Sequence, residues 1–118
     1  MSADLQSRIE LSDEERELLI RGLGEWGGPA RCTEALAVAM DFGSVGDLIS
    51  NVARISRALA DREPLPRSDW RRALFATEIA FASDVVGSGV EWATTTGLSD
   101  ESTVRVLRGL QRKIAGRI

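Results

Sequence analysis

Two acidic residues, Glu78 and Asp84, interrupt the most apolar stretch of the sequence. On a helix, Glu78 falls on the same side as Leu74, Phe81 and Val85, so we expect its carboxylate to be buried. A buried carboxylate must be paired, hydrogen-bonded or protonated. This requirement is met both by an active-site acid with a shifted pKa and by a Glu–Arg pair in the core. Because arginine is abundant in this chain, the sequence favours a structural, paired carboxylate at Glu78 over a catalytic acid.

Residue types that usually carry catalysis or bind metal are scarce. The chain has no histidine and one cysteine, which removes the commonest general base, the commonest zinc ligand and the usual serine triads. Cys32 follows Arg31 near a helix start, a setting that predicts a lowered thiol pKa. The glycine-rich stretches lack the preceding strand and the lysine of a phosphate-binding loop. We therefore predict a protein that is not an enzyme, with no catalytic residue, no metal and no cofactor.

Charge is distributed unevenly along the chain, whose net charge is −3. Residues 1–20 carry six acids against two arginines. Four of these acids belong to the first predicted helix, and three of the four, Asp13, Glu14 and Glu17, form the candidate surface. Such an acidic face predicts a surface for a basic protein partner. Trp92, beside a glycine-rich loop, is predicted to be an exposed anchor for a partner.

The last predicted helix carries a basic stripe. Arg105, Arg108 and Arg112 recur at i, i+3 and i+7, so they share one face that could contact a nucleic acid or an acidic partner. No aromatic residue lies beside them to stack on a base, which weakens an RNA interpretation. The sequence favours a solvated face for this stripe, with cations placed near a helix C-terminus. Pairing with the acidic first helix, within the chain or between subunits, is the next alternative.

Residues 33–52 have the spacing of a helix-turn-helix unit. Around Gly43, the small residue Ala39 and the apolar residues Ile49 and Val52 occupy positions that allow two helices to cross steeply. The second helix of this unit has no basic residue before Arg54, however, and an acidic domain is poorly suited to neutralising phosphates. We therefore treat residues 33–52 mainly as an ordinary packed helix pair.

The elements that would position these residues are all helical. Ser12 opens a capping box, Gly43 is predicted to end the second helix in the left-handed conformation, and a nearly all-apolar helix after Ser68 is predicted to lie at the centre. No run shows the alternation of a strand. The predicted helices cover residues 12–26, 33–40, 44–61, about 69–87 and 99–115.

The chain length of 118 residues fits one domain over 1–118. We expect an all-α bundle of about five helices around the helix of residues 69–87, with 1–11 as a loose N-terminal segment. No signal peptide or membrane span is recognisable, which indicates a cytoplasmic location. Fourteen of the fifteen basic residues are arginine, as expected from the codon usage of a GC-rich bacterium.

The composition favours a non-catalytic interaction domain over the other classes of protein. Small acidic domains without catalytic residues include immunity proteins and antitoxins, whose acidic surfaces block a basic partner. We therefore expect another protein as the partner, with a homodimer also open. The alternative is a nucleic-acid-binding transcriptional regulator that uses residues 33–52 or the basic C-terminal helix.

Overall fold

The computed structural model describes residues 6–26, 32–82 and 92–115. This part of the chain contains six helices and one short antiparallel pairing, which confirms the predicted all-α bundle. Among the described helices, none is both long and apolar enough to cross a membrane. The helices are α1 (Asp13–Glu25), α2 (Glu34–Ala39), α3 (Val45–Ala60), α4 (Arg67–Ala82), α5 (Trp92–Thr96) and α6 (Asp100–Ala115); β1 (Gln6–Ser7) pairs with β2 (Leu65–Pro66).

The start of α1 follows the predicted capping box. At α1, the Glu15 N–H donates to Ser12 Oγ at 3.1 Å, and the Ser12 N–H donates to Glu15 Oε1 at 2.8 Å. This reciprocal capping box satisfies two amide donors that the helix itself cannot pair. Thr33 and Ser44 cap α2 and α3 through single side-chain acceptors.

Two helices end on a residue that is not glycine but has a positive φ. Asp41 after α2 has φ 75°, and Arg62 after α3 has φ 59°. Each follows the Schellman pattern, because the N–H one residue further on bonds back to Ala37 O or Ala58 O at 2.9 Å. The prediction that Gly43 takes the left-handed position is therefore wrong. Gly43 instead donates its N–H to Asp47 Oδ2 at 2.8 Å.

The centre of the bundle is shared by α1 and α4. Helix α1 packs against α3, α4, α5 and α6, whereas α4 packs mainly against α1, α6 and β2. The apolar helix predicted over about 69–87 is observed from Arg67 to Ala82, and residues 83–87 lie outside the described part of the chain. The inner face of α1 is apolar at its centre, where Leu18, Leu19 and Leu23 are at most 2% exposed.

A close approach between α1 and α4 occurs at Gly22. A Cβ built on Gly22 would lie 2.3 Å from Thr77 Oγ1 and 2.7 Å from both Thr77 Cβ and Cγ2. Thr77 is fully buried in α4, and Ala73, Ala76 and Ala80 of the same helix are also completely inaccessible. Small side chains on both helices therefore set the short distance between them.

The described N-terminal residues are part of the fold. Ser7 pairs with Leu65, its carbonyl accepts from Trp70 Nε1 at 3.0 Å, and Ile9 and Leu11 are each 7% exposed. Residues 6–11 are consequently anchored to α4 and β2, contrary to the prediction of a loose segment over 1–11. Residues 1–5 lie outside the described chain.

The Gly22 contact predicts opposite outcomes for alanine at two glycines of α1. Gly22→Ala should lower the free energy of unfolding by about 2 kcal/mol, because the added methyl group overlaps Thr77. Gly24→Ala is the matched control, since no atom lies within 4 Å of its Cβ position, and it should raise that free energy by about 0.5 kcal/mol. Urea denaturation followed by circular dichroism measures both. Equal effects of the two substitutions would contradict the close approach.

Candidate functional site

A groove of about 260 Å³ lies between the first turns of α1 and of α6. Three carboxylates from α1 stand at its rim, and apolar side chains from both helices and from Leu98, two residues before α6, form much of its surface. We call it the acidic groove. Its lining residues are Asp13, Glu14, Glu17, Leu18, Leu98, Ser102, Thr103 and Val106.

The rim carboxylates are accessible and held only by exposed ion pairs. The side chains of Asp13, Glu14 and Glu17 are 90%, 65% and 46% exposed. Their partners are Arg62 at 3.1 Å, Arg105 at 3.4 Å and Arg21 at 3.0 Å, respectively. Exposed pairs of this kind contribute about 0–1 kcal/mol, so a partner's cation can replace the arginines at little cost. The structure thus places all three predicted acidic residues at one concave surface.

The floor of the acidic groove is held in place from below by Trp92. Its indole Nε1 donates to Thr103 Oγ1 at 2.8 Å, and the Thr103 hydroxyl donates to Ser99 O at 2.7 Å. Phe81 contacts the indole edge-to-face, with ring centroids 5.4 Å apart. Trp92 is completely buried, so the prediction of an exposed anchor is wrong. Its role is to support Thr103 from inside the core.

Directly behind the rim, Glu15 joins α1 to α6. It accepts from the Ser12 N–H and from Lys113 Nζ, and Gly109 permits this approach, because a Cβ there would lie 2.9 Å from Glu15 Oε2. Burial raises the pKa of Glu15, but the hydrogen bonds from Lys113 and Ser12 and the charge of Lys113 outweigh it, so the pKa lies below its ordinary value. Glu15 is therefore a structural carboxylate next to the three exposed ones.

The predicted basic stripe on α6 is only partly engaged. Arg105 pairs with Glu14 across the two helices, which is the pairing with the acidic first helix that the sequence left open. Arg108 and Arg112 are exposed and form no ion pair with any residue that the structure describes. The stripe does not continue into the acidic groove, whose lining contains no basic residue.

Glu78 is half-buried, and its partner is an amide. Its Oε2 accepts from Gln111 Nε2 of α6 at 2.6 Å. This corrects the expectation of a fully buried carboxylate paired with arginine, because Glu78 lies at the edge of the α4–α6 contact. Asp84, the other candidate acid, lies outside the described residues.

The enclosed carboxylate that sequence reasoning missed is Asp69. It is 1% exposed and binds two arginines, Arg54 at 2.7 Å from α3 and Arg72 at 3.1 Å from its own helix. The hydrogen bond from Arg54 to Asp69 raises the pKa of this guanidinium. Asp69 lies in the first turn of α4, where an acid is favoured by the helix dipole. This position in the helix is the feature of the sequence that could have indicated a structural role for Asp69.

Polar residues of the predicted helix-turn-helix unit are used inside the fold. Asp47 accepts from Gly43 N and from Asn51 Nδ2 at 2.8 Å each. Asn51 Oδ1 in turn accepts from Arg54, which also binds Asp69. These contacts occupy the side chains near the start of α3 that a DNA-reading helix would direct to base edges.

Cys32 does not have the properties predicted for a reactive thiol. Burial, and then the negative charge of Glu34, raise the pKa of the Cys32 thiol, opposite to the predicted direction. Arg31, on which that prediction depended, lies outside the described residues. Within residues 6–26, 32–82 and 92–115, no group of three or more histidine, cysteine, aspartate or glutamate side chains could hold a metal ion.

Comparison with protein-family models, curated proteins and solved structures finds no significant match. Function is therefore inferred from the geometry and charge of the surface.

The lowered pKa of Glu15 predicts how stability depends on pH. A carboxylate whose pKa is lowered by folding stabilises the protein above its unfolded pKa of about 4.3, and this stabilisation is lost as pH falls through the folded value. The free energy of unfolding should therefore fall between about pH 5 and pH 3, and Glu15→Gln should make that fall shallower. Urea midpoints measured across this range test it. Glu14→Gln, which removes an exposed acid from the same turn, should change the profile less; an unchanged profile in Glu15→Gln would contradict the assignment.

Proposed function

We propose that this protein is a non-catalytic interaction domain that binds a basic protein through the acidic groove. The observation that carries the proposal is the placement of Asp13, Glu14 and Glu17 around an apolar floor. Carboxylates at the rim attract cations over a distance, and an apolar floor rewards the burial of a side chain. A partner with one large apolar side chain flanked by lysine or arginine would satisfy both features.

The charge arrangement supports a protein over a nucleic acid as this partner. A nucleic-acid backbone would be repelled by the rim, whereas a basic protein surface would replace Arg21, Arg62 and Arg105 at the exposed carboxylates. Immunity proteins and antitoxins act in this way on basic, nucleic-acid-cleaving partners in the cytoplasm. We extend the proposal to that type of function by analogy of surface chemistry.

Nucleic-acid binding remains the second candidate function, and one observation favours it. Arg108 and Arg112 are exposed and have no ionic partner among the described residues, so they are free to contact phosphates. The helix pair α2–α3 contributes less support, because Asn51 and Arg54 are engaged with Asp47 and Asp69. An electrophoretic mobility shift at low salt that disappears at physiological salt would favour this class.

Charge reversal tests the acidic groove. The triple variant Asp13→Lys, Glu14→Lys and Glu17→Lys should lose a basic partner captured from a lysate of the source organism and identified by mass spectrometry. Loss should exceed about 100-fold in affinity when measured with the purified partner, since like charges across an interface cost several kcal/mol.

A second triple variant controls for total charge. Glu10, Asp61 and Glu63 are exposed and lie outside the groove lining, so Glu10→Lys, Asp61→Lys and Glu63→Lys changes the net charge equally without altering the groove. This control should retain the partner. Retention of the partner by the groove variant, or capture only of a second copy of this chain, would overturn the proposal.

A further inference from the structure

A separate, smaller pocket of about 110 Å³ lies where the N-terminal segment passes between α1 and the end of α3. Arginines from three different segments line it: Arg8, Arg16 and Arg62. Trp70 closes one side, and its indole is fixed by the hydrogen bond to Ser7 O. The tertiary fold brings these three arginines, which share no helix face, to one pocket. The Arg62 guanidinium also pairs with Asp13 at 3.1 Å.

Arg16 has a buried donor without an acceptor. Its NH1 group donates to Leu59 O at 3.2 Å, but its Nε is buried and has no hydrogen-bond partner among the described residues. Only one other buried side-chain polar atom in the described chain shares this condition, the hydroxyl of Thr77 at the helix crossing. An unpaired buried donor costs about 1–3 kcal/mol, so an acceptor that reached this Nε atom would recover that energy.

The backbone at Arg62 holds this arginine in an unfavourable conformation at the pocket. Its φ of 59° would suit glycine, yet an arginine occupies the position. Its carbonyl accepts from Arg8 NH1 at 2.9 Å, which links the two arginines directly. Strained non-glycine residues of this kind concentrate at binding sites, where the surrounding structure fixes them.

The remaining charges restrict the size of the ligand. Glu10 and Glu63 also line the pocket, and neither forms an ion pair with any residue that the structure describes. Both are exposed, so they flank the pocket from the solvent side. Two carboxylates against three guanidinium groups disfavour a long polyanion and leave room for one small anion that accepts several hydrogen bonds.

We infer that the pocket formed by Arg8, Arg16 and Arg62 binds a small oxyanion, of the phosphate or carboxylate class. Arginine presents planar donors that match both chemistries, and Arg16, whose buried Nε has no partner among the described residues, is one of the lining residues. This site and the acidic groove share no lining residue, and one exposed ion pair, between Arg62 and Asp13, connects them.

Titration of the ¹⁵N-labelled full chain with inorganic phosphate, and separately with acetate, tests the inference at constant ionic strength. The Nε–Hε signal of Arg16 in the NMR spectrum should shift and saturate with at least one of the two anions. Saturation with phosphate identifies the phosphate class, and saturation with acetate alone identifies the carboxylate class. Each variant Arg16→Lys and Arg8→Gln should weaken binding about tenfold, since each loses a hydrogen bond to a charged group.

Arg67→Gln provides the matched control, because Arg67 is exposed at the start of α4 and does not line the pocket. This variant should bind as the wild type does. Arg8 is itself exposed, so its variant is expected to fold even if Arg16→Lys does not. A linear shift without saturation for both anions, or equal binding by Arg8→Gln and the wild type, would overturn the inference.

Discussion

The close approach of α1 to α4 at Gly22 is the constraint on which the rest of this fold depends. A glycine on one helix faces a fully buried threonine on the other, with no space for a methyl group between them. With that distance fixed, the indole Nε1 of Trp26, the residue directly after α1, can donate to Ala76 O at 2.9 Å across the same interface. Helices α3 and α6 then pack on the remaining sides of α1. Asp13 and Glu14, in the first turn of α1, lie outside these contacts and are exposed to solvent.

Ion pairs reinforce this arrangement where the apolar core ends. Asp69 connects α3 to α4 through Arg54, and Arg71 and Arg72 of α4 reach back to the side chain and the carbonyl of Asp41. The Arg72 guanidinium also lies 5.2 Å from the centroid of the Phe42 ring, within the range of a cation–π contact. The turn between α2 and α3 is therefore tied to α4 by charge, which places its polar groups in structural rather than recognition roles.

Local signals in the sequence were sufficient for five of the six described helices, and α5 was not predicted. Ser12, Thr33 and Ser44 mark helix starts because a capping hydroxyl needs only its immediate neighbours. The prediction that Gly43 ends α2 is wrong because glycine is permitted in the left-handed region but is not required there. Asp41 takes that position with its side chain paired to Arg71.

Features that depend on packing could not be read from spacing. The prediction of an exposed Trp92 is wrong because its burial depends on Phe81 and Thr103, which come from separate elements. The three acids of the first helix could be placed on one face, but the apolar floor beside them requires α6. The convergence of Arg8 and Arg16 depends likewise on contacts between residues distant in sequence.

A double-mutant cycle between Gly22 and Thr77 tests the central constraint most directly. Thr77→Ala removes Oγ1 and Cγ2, two of the three atoms that a Cβ at position 22 would overlap. Urea denaturation should therefore show that Gly22→Ala costs about 1 kcal/mol less in the Thr77→Ala background than in the wild type. Equal costs in the two backgrounds, within about 0.3 kcal/mol, would show that the two residues do not meet and would contradict the proposed crossing of α1 and α4.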